Sequence, residues 1–171
     1  NFLSLDQLGL YSIIFLISTV PIIILNSLNN VWLPVIYTNS LKKNIVKLFN
    51  DYIYLSIRVL VIISVSVCLY SKEVLLFFFV EEYLNLNNAR SVLIIMTIGN
   101  SLFSFLWIHL SNEMNYYKKT NGYLLTTLFS FAVTILFSSF FINKFNFIGI
   151  AFISVISNFV VCLSAYIILS L

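Results

Sequence analysis

Apolar residues run along this chain in five long stretches, at about 9–37, 52–70, 91–111, 123–142 and 148–171, with only short polar breaks between them. A bilayer hydrocarbon core about 30 Å thick is crossed by about 20 apolar helical residues, so each stretch predicts a transmembrane helix. A transmembrane β-barrel requires strict alternation over segments of about 10 residues. The runs that begin at Ser12 and Ser91 do not alternate. The expected fold is therefore an all-α polytopic membrane protein in which residues 1–171 form a single membrane domain with five transmembrane helices.

Composition strengthens this reading. Hydrophobic residues make up 61% of the chain and charged residues 9%, where a soluble domain carries about 25% charged residues. Mean hydropathy is +1.04. The chain opens on Asn1 close to an apolar stretch and ends at Leu171 inside another, so further helices are expected upstream. There is no basic start with a cleavage site of the secretory type.

Charge then gives the helices a direction. Lys42, Lys43 and Lys47 fall in the first break, and Lys118 and Lys119 follow Glu113 in the third. The second break mixes Lys72 and Arg90 with Glu73, Glu81 and Glu82, and the fourth holds Lys144. By the positive-inside rule the first and third breaks face the cytoplasm. Residues 1–8 then lie outside, and the fifth helix ends at the cytoplasmic side. The net charge of +3 is explained by these loops and gives no reason to expect a nucleic-acid partner. No break is long enough for a soluble catalytic domain. The short apolar piece at 74–80 either extends the second helix or lies along the outer interface.

Polar residues inside the spans carry the candidate chemistry. At about 100° per residue, Ser12, Thr19, Asn26, Asn30 and Tyr37 form one narrow stripe on the first helix. An asparagine in a span either hydrogen-bonds a neighbouring helix or lines a hydrated cavity, and both readings stand for Asn26 and Asn30. Proline removes a backbone donor and can bend a helix. Pro21, deep in the span, is a hinge candidate. Pro34 is either a second hinge or a helix terminator. The third helix gathers Thr97, Asn100, Ser101, Ser104, Ser111 and Asn112 on one side. Small and hydroxylated residues on the fourth helix (Thr127, Ser130, Thr134, Ser138) and the fifth (Ala151, Ser154, Asn158, Cys162, Ala165) suit close helix packing.

Arg58 is the one arginine placed inside a predicted span. It either snorkels to the headgroups or marks a substrate path, where its planar fork matches phosphate. His109 reads as an interfacial histidine beside Trp107, with proton relay as the alternative. Cys68 and Cys162 lack the spacing of a metal site or a disulfide framework and read as packing residues. No phosphate-binding glycine loop, zinc motif or catalytic triad occurs, so neither enzymatic activity, nor a cofactor, nor a metal is expected.

Several passages, taken in order, resemble one family. Leu5-Asp-Gln-Leu-Gly-Leu-Tyr-Ser is similar to the start of the second helix of each six-helix half in the bacterial polysaccharide transporters. These belong to the multidrug/oligosaccharidyl-lipid/polysaccharide exporter superfamily. Val31-Trp-Leu-Pro-Val-Ile-Tyr resembles that family's proline-containing helix end before a basic cytoplasmic loop. Glu81-Glu-Tyr-Leu followed by Ala89-Arg-Ser-Val-Leu resembles the outer loop leading into the tenth helix. Phe147-Ile-Gly-Ile-Ala-Phe-Ile-Ser-Val-Ile-Ser resembles the start of the last core helix, although Phe147-Ile-Gly-Ile-Ala departs from the usual glycine- and alanine-rich form. The likeness is greatest to O-antigen flippases and covers nearly the whole chain.

The resemblance implies a C-terminal-half fragment, helices eight to twelve of a twelve-helix transporter built from two bundles. It implies a multi-pass protein of the bacterial inner membrane. Its cargo would be an undecaprenyl-pyrophosphate-linked oligosaccharide, moved outward by alternating access. Under it, Asn26, Asn30, Asn100 and Ser101 are expected to meet sugar hydroxyls in a substrate cavity, and Arg58 the pyrophosphate. Partners would be the lipid-linked substrate, membrane lipids and other polysaccharide-assembly proteins. A drug/cation exporter of the same superfamily should show a mid-membrane carboxylate, and a membrane glycan polymerase or glycosyltransferase a large external loop. The sequence has neither.

Overall fold

The computed structural model describes residues 5–38, 45–79, 88–119 and 121–170. Within them the chain is helical: α1 (Leu5–Ser18), α2 (Val20–Thr38), α3 (Ile45–Leu69), α4 (Ser71–Phe78), α5 (Ala89–Tyr116), α6 (Asn121–Phe145) and α7 (Phe147–Ser170). Among the described residues, five helical spans are long and apolar enough to cross a membrane: Gln7–Val35, Lys47–Leu69, Ala89–Tyr116, Asn121–Phe145 and Phe147–Ser170. The protein is thus a membrane-embedded, multi-pass helical protein. Lys42, Lys43, Glu81 and Glu82, on which part of the charge argument rests, lie outside the described residues, as does the side chain of Tyr37.

The first span is interrupted. Its helix stops at Ser18 and resumes at Val20, the residue before Pro21. Proline has no N–H for the carbonyl four residues back, Ile17, and its ring crowds that carbonyl. The chain adjusts at Thr19, whose N–H is shared between the carbonyls of Phe15 at 3.1 Å and Leu16 at 3.3 Å. The Ser18 and Thr19 hydroxyls donate to those same two carbonyls, each at 2.8 Å. Pro34 behaves differently, since α2 continues to Thr38 beyond it. Pro34 is exposed, and it does not end the helix.

The second span begins earlier than hydropathy predicts. Helix α3 starts at Ile45, because an intrahelical ladder carries through Lys47, Asn50 and Asp51 whether or not their side chains are apolar. These three are exposed, as a headgroup-level turn requires. At the other end Tyr70 forms a joint, and the segment beyond it is the short helix α4. Its Ser71 hydroxyl accepts from Arg90 Nε at 3.0 Å, which ties α4 to the start of α5.

Helix α5 is the hub, packing against α1, α2, α3, α4 and α7, while α6 packs chiefly against α7. The α6–α7 hairpin turns on Asn146, at φ 51°, a left-handed conformation that asparagine tolerates. Gly149 lies so close to the Phe141 carbonyl that an added Cβ would strike backbone. Lys119 Nζ donates to the Ile168 and Leu169 carbonyls at 3.1 and 3.2 Å. That satisfies two acceptors left open at the end of α7.

Two apolar clusters form along α5. One joins Leu10 and Ile14 of α1, Leu75 of α4, Val92, Leu93 and Met96 of α5, and Phe147, Ile150 and Ala151 of α7. The other joins Leu25 of α2, Leu60 of α3 and Ile108 of α5. Between them, at the middle of α5, the buried residues are Gly99 and the polar Thr97, Asn100, Ser101 and Ser104. A polar belt therefore crosses the hub helix at mid-span.

Candidate functional site: a polar belt and two clefts

Asn100 is the centre of the belt and is 4% exposed. Its Nδ2 donates to the Ser18 hydroxyl at 2.9 Å and the Ser18 carbonyl at 3.2 Å. Its Oδ1 accepts from Asn158 Nδ2 of α7 at 3.0 Å. The carbonyl it engages belongs to the residue at which the helical ladder stops. A backbone break within hydrocarbon is tolerated where a neighbouring helix supplies the missing partner, and Asn100 supplies one here. One carboxamide thus links the break to α5 and α7.

A cleft of about 300 Å³ opens beside this junction. Its polar lining consists of Thr19 at the break, Asn100 of α5, Thr134 of α6, and Ser154, Ser157 and Asn158 of α7. Phe15, Ile22, Phe103 and Ile153 complete it. The Thr134 and Ser157 hydroxyls pair at 2.6 Å, and Tyr11 and Ser154 pair at 3.3 Å. The walls are therefore cross-linked by hydrogen bonds, which fixes their spacing.

Thr19 carries this lining to the break that precedes α2. Asn26 and Asn30, on the same side of the helix, are both exposed. Neither is tied to a described neighbour, so the two amides are free to bond whatever fills the space beside them. Asn29, which the stripe does not include, makes the helix–helix bonds instead. Its Oδ1 accepts from Tyr52 of α3 at 3.0 Å and from Asn112 of α5 at 2.9 Å.

Ser101 faces a different way from Asn100, as a step of about 100° demands. It pairs with Ser64 of α3 at 2.6 Å and donates to the Thr97 carbonyl at 2.6 Å. It lies in the floor of a second cleft, about 360 Å³ in volume, between α3 and α5. Arg58 stands at the flank of that cleft, exposed, and bonds none of the described residues. The five candidate residues are thus distributed over three places. Asn100 lines the cleft at the break, whereas Asn26 and Asn30 lie exposed on α2 and line neither cleft. Ser101 and Arg58 belong to the α3–α5 side.

Three residues that the sequence did not place in the cavity complete the site. Ser18 matters through its carbonyl, and no side-chain pattern reveals that. Asn29 falls outside the stripe by position on the helix. Asn158 was legible only as a packing residue, and its reach to Asn100 depends on how closely α5 and α7 approach. Gly99 permits that approach, since an added Cβ would collide with the Val155 side chain. His109 also sits differently from expectation. It is enclosed by the rings of Phe49, Tyr52 and Phe105 at 5.9, 5.7 and 4.8 Å. Trp107 turns the other way, onto Phe103 and Tyr123.

No family model matches the chain, and no curated protein or solved structure matches it.

Proposed function

We propose that the chain is part of a flippase that moves undecaprenyl-pyrophosphate-linked oligosaccharide units, of O-antigen or a similar surface polysaccharide, across the bacterial inner membrane. The observation that carries this reading is the hydrogen-bonding belt at mid-span, opening into a cleft at a broken helix. A pyrophosphate and a hydroxyl-rich glycan cannot cross hydrocarbon unaided, because each unpaired polar group there costs several kcal/mol, on the order of 2–7. A path lined by amides and hydroxyls lowers that cost. Broken spans near the membrane midplane are also where alternating-access transporters bind cargo.

In this reading Asn26 and Asn30 offer amides to sugar hydroxyls. Asn100 lines the path and holds its walls together. Arg58 provides the positive charge for the pyrophosphate. Pro21 sets the joint about which the first span bends. The likeness of the sequence to the polysaccharide transporters supports the same assignment and adds the upstream helices of a second bundle.

Deletion of the parent gene tests the proposal. Surface glycan should disappear, with lipid-linked single repeat units accumulating in the cytoplasmic leaflet. Normal polymer on the outer surface would refute it.

A further inference from the structure

A further cleft, of about 440 Å³, lies between α3, α5 and α7. Ile53 of α3, Leu106 and Leu110 of α5, and Phe159 and Leu163 of α7 make its walls apolar. A smaller one, of about 220 Å³, lies at the end of α5, where Asn112, Tyr116 and Tyr117 line it. Phe49, His109 and Glu113 line both, so the two form one passage with an apolar end and a polar end. Apart from Tyr117, these residues all lie within the membrane-spanning lengths of their helices.

Glu113 is the only charged residue among those lining the passage. It is exposed, and its carboxylate bonds none of the described residues. It stands three residues before the end of α5 at Tyr116. A carboxylate inside a span calls for a partner. Phe49, Tyr116 and Tyr117 add aromatic rings to the same cleft, and ring faces attract a cation. The Asn112 amide donates to Asn29 at 2.9 Å, which leaves its Oδ1 without a bond to the described residues. A carboxylate and a carbonyl oxygen beside aromatic rings suit a primary ammonium, which brings several N–H donors.

One turn deeper, about 6 Å along the axis, His109 provides the opposite chemistry. Its Nδ1 is buried without a partner, among the rings of Phe49, Tyr52 and Phe105. A neutral imidazole carries a proton on one nitrogen only, and a bare acceptor is tolerated in such a place better than a bare donor. The proton therefore sits on Nε2, the nitrogen that is not enclosed. An N–H at the edge of the passage suits a phosphate oxygen. From the bilayer interior outward, the passage thus presents hydrocarbon, then a donor, then acceptors with a negative charge.

We propose that this passage binds phosphatidylethanolamine from the leaflet on the Lys118 side. An acyl chain fills the apolar cleft, the phosphate accepts from His109 Nε2, and the ammonium meets Glu113 and Asn112. A short ethylene bridge separates phosphate from ammonium in this lipid. Residues one turn apart have Cβ atoms about 5–6 Å from each other, so one headgroup reaches both His109 and Glu113. A phospholipid without the ammonium leaves Glu113 unpaired, and a soluble amine leaves the apolar cleft empty. The lipid is a resident of the fold rather than its cargo, so the site stands or falls independently of the flippase reading.

The test uses the full protein in phosphatidylglycerol vesicles containing a trace of phosphatidylethanolamine with a diazirine in its acyl chain. Photolysis should label the peptides at residues 105–113 and 159–166. Unlabelled phosphatidylethanolamine should lower the labelling several-fold. N-acetylated phosphatidylethanolamine, which lacks the positive charge, should leave it unchanged, and so should soluble ethanolamine. These competitions need no variant. Glu113→Gln, at the melting temperature of the parent, should also lose labelling several-fold. Labelling confined to other peptides, or unchanged in Glu113→Gln, overturns the proposal. Equal competition by the N-acetylated lipid would make the passage a general phospholipid groove, and equal competition by ethanolamine a site for a soluble amine. Either result overturns it as well.

Discussion

At Asn100 a single carboxamide satisfies a broken backbone, a hydroxyl and a second carboxamide. Interhelical hydrogen bonds in membranes average about 0.6 kcal/mol. Truncation, however, leaves the buried Ser18 carbonyl unpaired, which raises the cost of losing them to about 1–3 kcal/mol. Asn100→Ala should therefore destabilise the protein by that amount in a reversible detergent-unfolding assay. Asn100→Asp should be worse, since it replaces the Nδ2 donor with an acceptor facing the Ser18 carbonyl. Wild-type stability in the aspartate variant would show that the junction contributes nothing. The sequence marks Asn100 as a polar residue inside a span, and that much follows from hydropathy alone. Its partner Ser18 is different, because a carbonyl acquires meaning only when the ladder stops there.

The break itself belongs to the element scale. Pro21 announces a bend in the first span, and the structure places the interruption at Thr19, two residues toward the Ile17 carbonyl that the proline cannot serve. The boundaries of the other elements were less legible for a common reason. Hydropathy reports which residues avoid water, whereas a helix ends where its backbone ladder ends. Hence α3 runs out through Lys47 and Asp51, and α5 continues to Tyr116, past the polar residues that close the apolar run. Restoring an unbroken ladder separates structure from mechanism. Pro21→Ala gives Ile17 a backbone donor and relieves the ring clash, worth up to about 3 kcal/mol in a helix interior. The variant should be at least as stable as the parent in thermal denaturation. Its ability to restore surface glycan to a deletion strain should nevertheless fall well below that of the parent at equal protein level. Full complementation by a stable variant would remove Pro21 from the transport cycle.

For the molecule as a whole, the crossing most open to challenge is α6. It packs chiefly against α7, and Leu124, Phe131 and Leu136 are 67%, 65% and 71% exposed. In water such a surface would drive aggregation; in a bilayer it is the ordinary lipid-facing side of a span. If α6 crosses, the end of α5 and the α6–α7 turn lie on opposite sides of the membrane. The positive-inside bias assigns the Lys118–Lys119 end to the cytoplasm and the Asn146 turn to the periplasm. Asn115 and Asn143, both exposed, report on these two positions. In a background with Cys68→Ser and Cys162→Ala, an impermeant maleimide applied to cells with a permeabilised outer membrane should label Asn143→Cys at once. Asn115→Cys should react only after the inner membrane is opened. Labelling of both from one side would mean that α6 does not span. The reverse pattern would keep all five spans but invert the protein, placing Arg58 in the outer half of the bilayer. A cargo taken from the cytoplasmic leaflet could not then present its phosphate to Arg58, so this one measurement constrains the direction of transport as well as the topology.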